Sequence, residues 1–202
     1  NLQAILDAIH EDCLDARVAL VLCNRPDAEA LQRAAAAGVP TLTLDHRAFA
    51  DRGAFDQAMI AAIDPHAPDL VVLAGFMRLL TPGFVAHYAG RLVNIHPSLL
   101  PAYPGLDTHR RVLEGGDHRH GATVHFVTSE LDSGPAIVQG EVPVLPGDTP
   151  ATLAARVLVQ EHLLYPLALQ WLCSGRVTLR DGRVCLDGES LATEGLRINA
   201  LD

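Results

Sequence analysis

Leu92-Val93-Asn94-Ile95-His96-Pro97-Ser98-Leu99-Leu100-Pro101 is the stretch on which the reading of this chain turns. Residues 92–95 are short, apolar and partly β-branched, which suits a buried strand. At His96 the pattern breaks. Residues 96–105 carry three prolines and no periodicity, so they read as a loop at the carboxyl end of that strand. In open α/β sheets ligands bind outside the carboxyl ends of the strands. Strand alternation points Asn94 and His96 the same way, presenting a neutral amide beside a titratable imidazole.

Upstream of this stretch, short apolar runs alternate with helical patterns of about 10 to 15 residues, the signature of a parallel sheet built from βαβ units. Residues 18–22, 41–44 and 70–74 read as strands, the last as a run buried on both faces. Asn24, Pro26 and Asp27 are expected to turn the chain and cap a helix through Ala37, ended by Gly38 and Pro40. A helix around Phe55, Met59, Ile60 and Ile63 and a short one from Pro82 to Tyr88 follow. Downstream, residues 124–127 and 137–144 flank a turn rich in Asp, Ser, Gly and Pro, which predicts antiparallel strands and a mixed sheet. Asp148 and Thr149 cap the longest helix, with Pro150 in its first turn and Gly175 after its end. Residues 177–179 and 183–186 read as a hairpin, and 188–202 as a polar tail. The fold class is α/β, and residues 1–202 form one domain without repeats or linkers.

Composition narrows the function. Lys and Arg number 15 against 24 Asp and Glu, a formal charge of −9, and the basic residues are scattered, which disfavours nucleic acid as a partner. No apolar run reaches the roughly 20 residues of a membrane span. Cys13, Cys23, Cys173 and Cys185 form no CxxC pair, and no secretory segment precedes them, which fits reduced thiols in the cytoplasm. The chain opens on Asn1, which reads as a helix cap before Leu2, Ile5, Leu6 and Ile9 on one helical face.

A second candidate segment is Thr128-Ser129-Glu130-Leu131-Asp132-Ser133-Gly134-Pro135. A His, an Asn and an Asp brought together stabilise a developing oxyanion and relay a proton, the equipment for acyl transfer without a covalent intermediate. Each residue has a plainer reading. A histidine after a buried strand is commonly structural, and Asp before Ser-Gly-Pro is by default a turn former. His118 and His120 beside Asp117 have no third ligand at a metal-site spacing and read as an exposed polar turn. Spacing names a site and leaves its substrate open.

Three separated motifs carry a resemblance. Leu73-Ala74-Gly75-Phe76-Met77-Arg78, then Asn94 to Pro101 with Tyr103-Pro104-Gly105, then His125-Phe126-Val127-Thr128 through Asp132 to Gly134-Pro135 closely resemble the phosphoribosylglycinamide formyltransferases in order and spacing. The resemblance implies a Rossmann-like formyltransferase fold, a mostly parallel sheet flanked by helices. It implies formyl transfer from 10-formyltetrahydrofolate, as co-substrate, to glycinamide ribonucleotide, with Asn94, His96 and Asp132 as the catalytic trio and no metal. For folate it points to Arg52, to Met77, Arg78, Leu79 and Leu80, and to Asn94, Thr128, Ser129, Glu130, Leu131 and Asp132. Met77, Leu79 and Leu80 also read as ordinary core, and Arg52 as a solvated arginine. For the ribonucleotide it points to Asn1, Gln160 and Glu161, and a Glu on a mostly apolar helix stretch needs a partner.

The family carries a first strand and a glycine-containing loop ahead of the Asn1 helix. The expectation is therefore a domain truncated at its amino end, with that strand missing. Small-molecule partners, no nucleic acid, no membrane and a monomer or homodimer complete the reading. The alternatives are a formyltetrahydrofolate hydrolase, which shares the trio but not the Pro97 to Gly105 pattern, and a catalytically silent folate-binding module. A methionyl-tRNA formyltransferase needs a basic tRNA surface that an acidic chain does not offer.

Overall fold

A computed structural model describes residues 1–198. Its helices are α1 (Leu2–His10), α2 (Glu29–Ala36), α3 (Arg52–Ile63), α4 (Pro82–His87), α5 (Thr108–Gly115) and α6 (Pro150–Cys173). Its strands are β1 (Val21–Cys23), β2 (Thr41–Thr43), β3 (Val71–Leu73), β4 (Leu92–His96), β5 (Arg119–Phe126), β6 (Ala136–Pro143), β7 (Val177–Arg180), β8 (Arg183–Leu186), β9 (Glu189–Ser190) and β10 (Leu196–Ile198). The central sheet has five strands in the order β10-β6-β5-β4-β3, and β1 and β2 pair as a separate parallel ribbon. Within the central sheet β3 runs parallel to β4, and β10 parallel to β6. Strand β5 runs antiparallel to both of its neighbours, β4 and β6. The mixed sheet flanked by helices is the α/β architecture expected from the sequence.

Helix α6 covers one face of the sheet because Leu153, Val157, Leu164, Tyr165, Ala168 and Leu169 all point into the core with Val93, Ile95, Val124 and Val138. Each such Leu or Val contributes about 1.5–3 kcal/mol relative to exposure. The Tyr165 hydroxyl donates to the Leu73 carbonyl at 2.7 Å and lies 3.2 Å from that of Val93, which fixes α6 across β3 and β4. Its amino end is held by a capping box between Thr149 and Thr152. A second cluster of Phe55, Met59, Phe84, Val85, Tyr88 and Leu92 joins α3 and α4 to β4. Strand β4 is thus packed from two clusters, which makes it a rigid base for the residues at its carboxyl end.

Several local expectations need correcting. Residues 71–73 are only half-buried, because β3 is an edge of the central sheet and pairs with β4 alone among the described residues. Asp27 does not cap α2: its carboxylate is bound by Arg25 at 2.7 Å, and the cap position falls to Ala28. Asn1 does occupy the cap position of α1, but its side chain makes no capping bond. His120 is not in an exposed turn. Strand β5 buries it to 1% exposure, and His118 beside it stays exposed. Within the stretch read as a polar tail, Glu189–Ser190 and Leu196–Ile198 form β9 and β10, while residues 199–202 lie outside the described part.

Candidate active site

The pairing of β4 with β5 puts Asn94 opposite His125 and His96 opposite Thr123. Both pairs face away from α6, which packs on the alternate residues Val93, Ile95 and Val124. The loop after His96 is anchored to this face by polar contacts. Thr123 Oγ1 donates to the Ser98 carbonyl at 2.7 Å and accepts from the Leu100 amide at 3.0 Å. Gln139 Nε2 donates to the Leu100 carbonyl at 2.6 Å. Ser98 Oγ donates to the Ala102 carbonyl at 2.6 Å. These buried bonds fix a segment that has no regular secondary structure, because leaving any of the groups unpaired costs about 1–3 kcal/mol.

The anchored loop returns Tyr103, at φ 55°, to the imidazole of His96. His96 Nε2 lies 3.0 Å from the Tyr103 carbonyl oxygen. A carbonyl only accepts, so Nε2 carries a hydrogen and Nδ1 is the ring atom left for chemistry. Asp132 faces that atom, with Oδ2 3.5 Å from His96 Nδ1. The same Oδ2 accepts from the Gly105 amide at 2.8 Å. The carboxylate therefore joins two loops and offers the ring a charge partner. Asp132 reaches this place from a left-handed backbone conformation, φ 50°, which Asp tolerates better than bulkier residues do. Asn94 completes the group, its Nδ2 3.4 Å from His125 Nε2. Asn94, His96 and Asp132, proposed from sequence, are thus gathered at the carboxyl end of β4.

The other candidates fall into two regions. Met77 and Leu79 are 79% and 54% exposed, so their reading as core is wrong, whereas Leu80 packs with the second cluster. Arg78 lies with its guanidinium carbon 5.4 Å from the Phe55 ring centre, and its Nε is buried without a partner. Arg52 opens α3 and is exposed. Thr128 Oγ1 donates to the Glu130 carbonyl at 3.3 Å, while Ser129, Glu130 and Leu131 stand exposed beside Asp132. At the other region, Glu161 finds the partner its burial demands: Asn1 Nδ2 donates to Oε2 at 2.6 Å. Gln160 is buried nearby on α6 against Gly140, and its Oε1 has no partner. Among the described residues no group of three or more His, Cys, Asp or Glu is placed to hold a metal ion.

Sequence reasoning missed His109 and the burial of His120. His109 Nδ1 and His120 Nε2 are 3.0 Å apart, one donating and the other accepting. That contact needs one hydrogen between two nitrogens, and a second proton sets two donors against each other. Burial, with neighbouring His109 and His96, pushes the His120 pKa down to about 4, and burial lowers that of His109 too. The unfolded chain then binds more protons than the folded one below the ordinary value of 6.5. Stability is expected to be full above pH 6.5 and to fall as the pH drops toward 4. Urea midpoints between pH 7.5 and 4.5 check this. The fall is expected to shrink in His120→Gln, and an identical fall in that variant would remove the pair as its cause.

The fold is thus an α/β mixed sheet that gathers an Asn, a His and an Asp at the carboxyl end of one central strand. A sequence profile described as formyl transferase matches residues 1–169. The phosphoribosylglycinamide formyltransferase of Escherichia coli is 53% identical over 195 residues, covering 96% of this chain and 92% of that protein. The solved phosphoribosylglycinamide formyltransferase of Coxiella burnetii superposes with a TM-score of 0.94 at 46% identity, covering 98% of this chain and 92% of that one. A formyltetrahydrofolate deformylase from Pseudomonas syringae pv. tomato reaches a TM-score of 0.82 at 28% identity, covering 92% of this chain and 61% of that one. The chain belongs to the phosphoribosylglycinamide formyltransferase family.

Proposed function

We propose that Asn94, His96 and Asp132 carry out the family's reaction here, moving the formyl group of 10-formyltetrahydrofolate to the amine of 5'-phosphoribosylglycinamide in purine biosynthesis. The observation that supports this most strongly is the occupied Nε2 of His96, which leaves Nδ1 free to work beside Asp132. The substrate amine attacks the formyl carbon, a C–N bond forms, and the formyl oxygen gains negative charge. Asn94 Nδ2 and the protonated Nδ1 of His96 stabilise that oxygen. The bond from the formyl carbon to the folate nitrogen then breaks, and the proton lost by the amine ends on that nitrogen. Asp132 assists the transfer by holding the positive ring. Holding both substrates in one site supplies a large part of the acceleration.

Exposed Met77 and Leu79 suit an apolar wall for the folate ring, with Thr128, Ser129, Glu130 and Leu131 as its rim and Arg52 for a folate carboxylate. Asn1, Glu161 and Gln160 suit the ribonucleotide, with Glu161 toward the ribose hydroxyls. A cytoplasmic location fits the four free thiols. No helix among the described residues is long and apolar enough to cross a membrane. The test supplies both substrates and measures formylated ribonucleotide and free formate. Formylated product that requires the ribonucleotide is expected. Formate release without it points to the hydrolase, and folate binding without turnover to the silent module.

A further inference from the structure

His125 lies in the middle of the site and has no part in the mechanism above. It is 2% exposed, and its two ring nitrogens meet different partners. Nδ1 is 2.9 Å from the carbonyl oxygen of Phe126. Because that oxygen only accepts, Nδ1 carries the hydrogen. In the neutral ring Nε2 is then a bare lone pair, and it faces Asn94 Nδ2 at 3.4 Å. The next group facing it is Asp132 Oδ1 at 4.0 Å, beyond hydrogen-bond reach. Burial lowers the His125 pKa, opposed by the Phe126 carbonyl and Asp132, so the neutral ring is the form that persists near pH 7.

An asparagine amide has two faces of nearly equal shape, and only its neighbours decide which atom points where. With a lone pair at Nε2, the nitrogen end of Asn94 is attracted and the oxygen end repelled. We propose that His125 is a positioning residue that fixes the orientation of the Asn94 carboxamide, so that an N–H rather than the oxygen is presented to the formyl oxygen. This rests on the formyl-transfer reading. Two contacts in series therefore set the oxyanion donor: the Phe126 carbonyl fixes the tautomer of His125, and that tautomer fixes the Asn94 amide. The first link is made by the backbone of β5 itself.

The experiment is a double-mutant cycle on formyl transfer, with 15N spectroscopy of the imidazoles in the unsubstituted protein. His125→Leu removes the acceptor at similar volume, and His125→Gln restores an acceptor near the position of Nε2. Removing an oxyanion donor outright costs about 10²–10³-fold in kcat, so losing its orientation is expected to cost about 10-fold or more. KM for both substrates is expected to change by less than about threefold, since the donor acts on charge that develops in the transition state. His125→Gln is expected to recover most of kcat. In an Asn94→Ala background, His125→Leu is expected to cost nothing further. The 15N spectrum is expected to show the hydrogen on Nδ1 of His125.

A hydrogen on Nε2, a loss in His125→Leu that persists without Asn94, or no loss in a folded His125→Leu protein would each overturn the proposal. The spectrum decides even where the leucine variant does not fold. Failure of the formyl-transfer reading is separately visible, as absence of formylated ribonucleotide from the unsubstituted enzyme.

Discussion

His96→Ala is expected to lower kcat for formyl transfer by about 10³-fold or more, with KM for both substrates within a few-fold of the parent. The substitution removes a proton carrier, worth about 10²–10⁴ in such reactions, and one of two donors to the developing oxyanion, worth about 10²–10³. The two losses share one transition state and do not multiply. It also strips Asp132 of the ring 3.5 Å away and leaves that carboxylate oxygen only the Gly105 amide. Substrate positioning survives, so a residual rate remains. Steady-state kinetics with calorimetric titration of the ribonucleotide separate the two effects. A fall of less than tenfold in kcat would remove His96 from the chemistry.

Gly134→Ala is expected to destabilise the fold by about 3 kcal/mol or more, the upper end for overpacking a filled space. A Cβ at this position falls inside the van der Waals envelope of the Phe126 carbonyl oxygen and close to Thr128 Cγ2. Neither obstacle moves cheaply. The Phe126 amide is bonded to the Pro135 carbonyl at 3.1 Å, and the Phe126 carbonyl is the acceptor for His125. Set against a typical total of about 5–15 kcal/mol, the loss is large. Any folded fraction is also expected to transfer formyl slowly, because the turn displaced is the one that carries Asp132. Urea denaturation gives the first effect and activity per folded molecule the second. An unchanged midpoint would show that this turn has slack the geometry does not.

Much of the site was legible because its signal is local. A strand that ends in Asn94-Ile95-His96 and runs into a proline-rich loop announces both the direction of its side chains and their place at the carboxyl end of that strand. The turn that carries Asp132 was legible only as composition, and the motif resemblance joined it to His96. What remained hidden depends on pairing between distant segments. Antiparallel β5 brings His125 and Thr123 onto the face of Asn94 and His96, and buries His120 against His109 of α5. No period in residues 117–120 reports that, so the turn reading prevailed. The tautomers of His96 and His125 are set by backbone carbonyls of Tyr103 and Phe126, which leave no mark in residue type. Strand β10 was missed for a similar reason: three residues with Arg197 at their centre form a strand only because β6 offers them an open edge.

The proposed mechanism requires His96 and Asp132 to act as one unit, since the carboxylate works only through the ring it faces. The direct test is single-turnover formyl transfer to glycinamide ribonucleotide by the parent, His96→Ala, Asp132→Asn and the double variant. The predicted result is strong non-additivity, with the double variant no slower than His96→Ala by more than about twofold. Losses that multiply in the double variant would mean the two residues act independently and would contradict the mechanism.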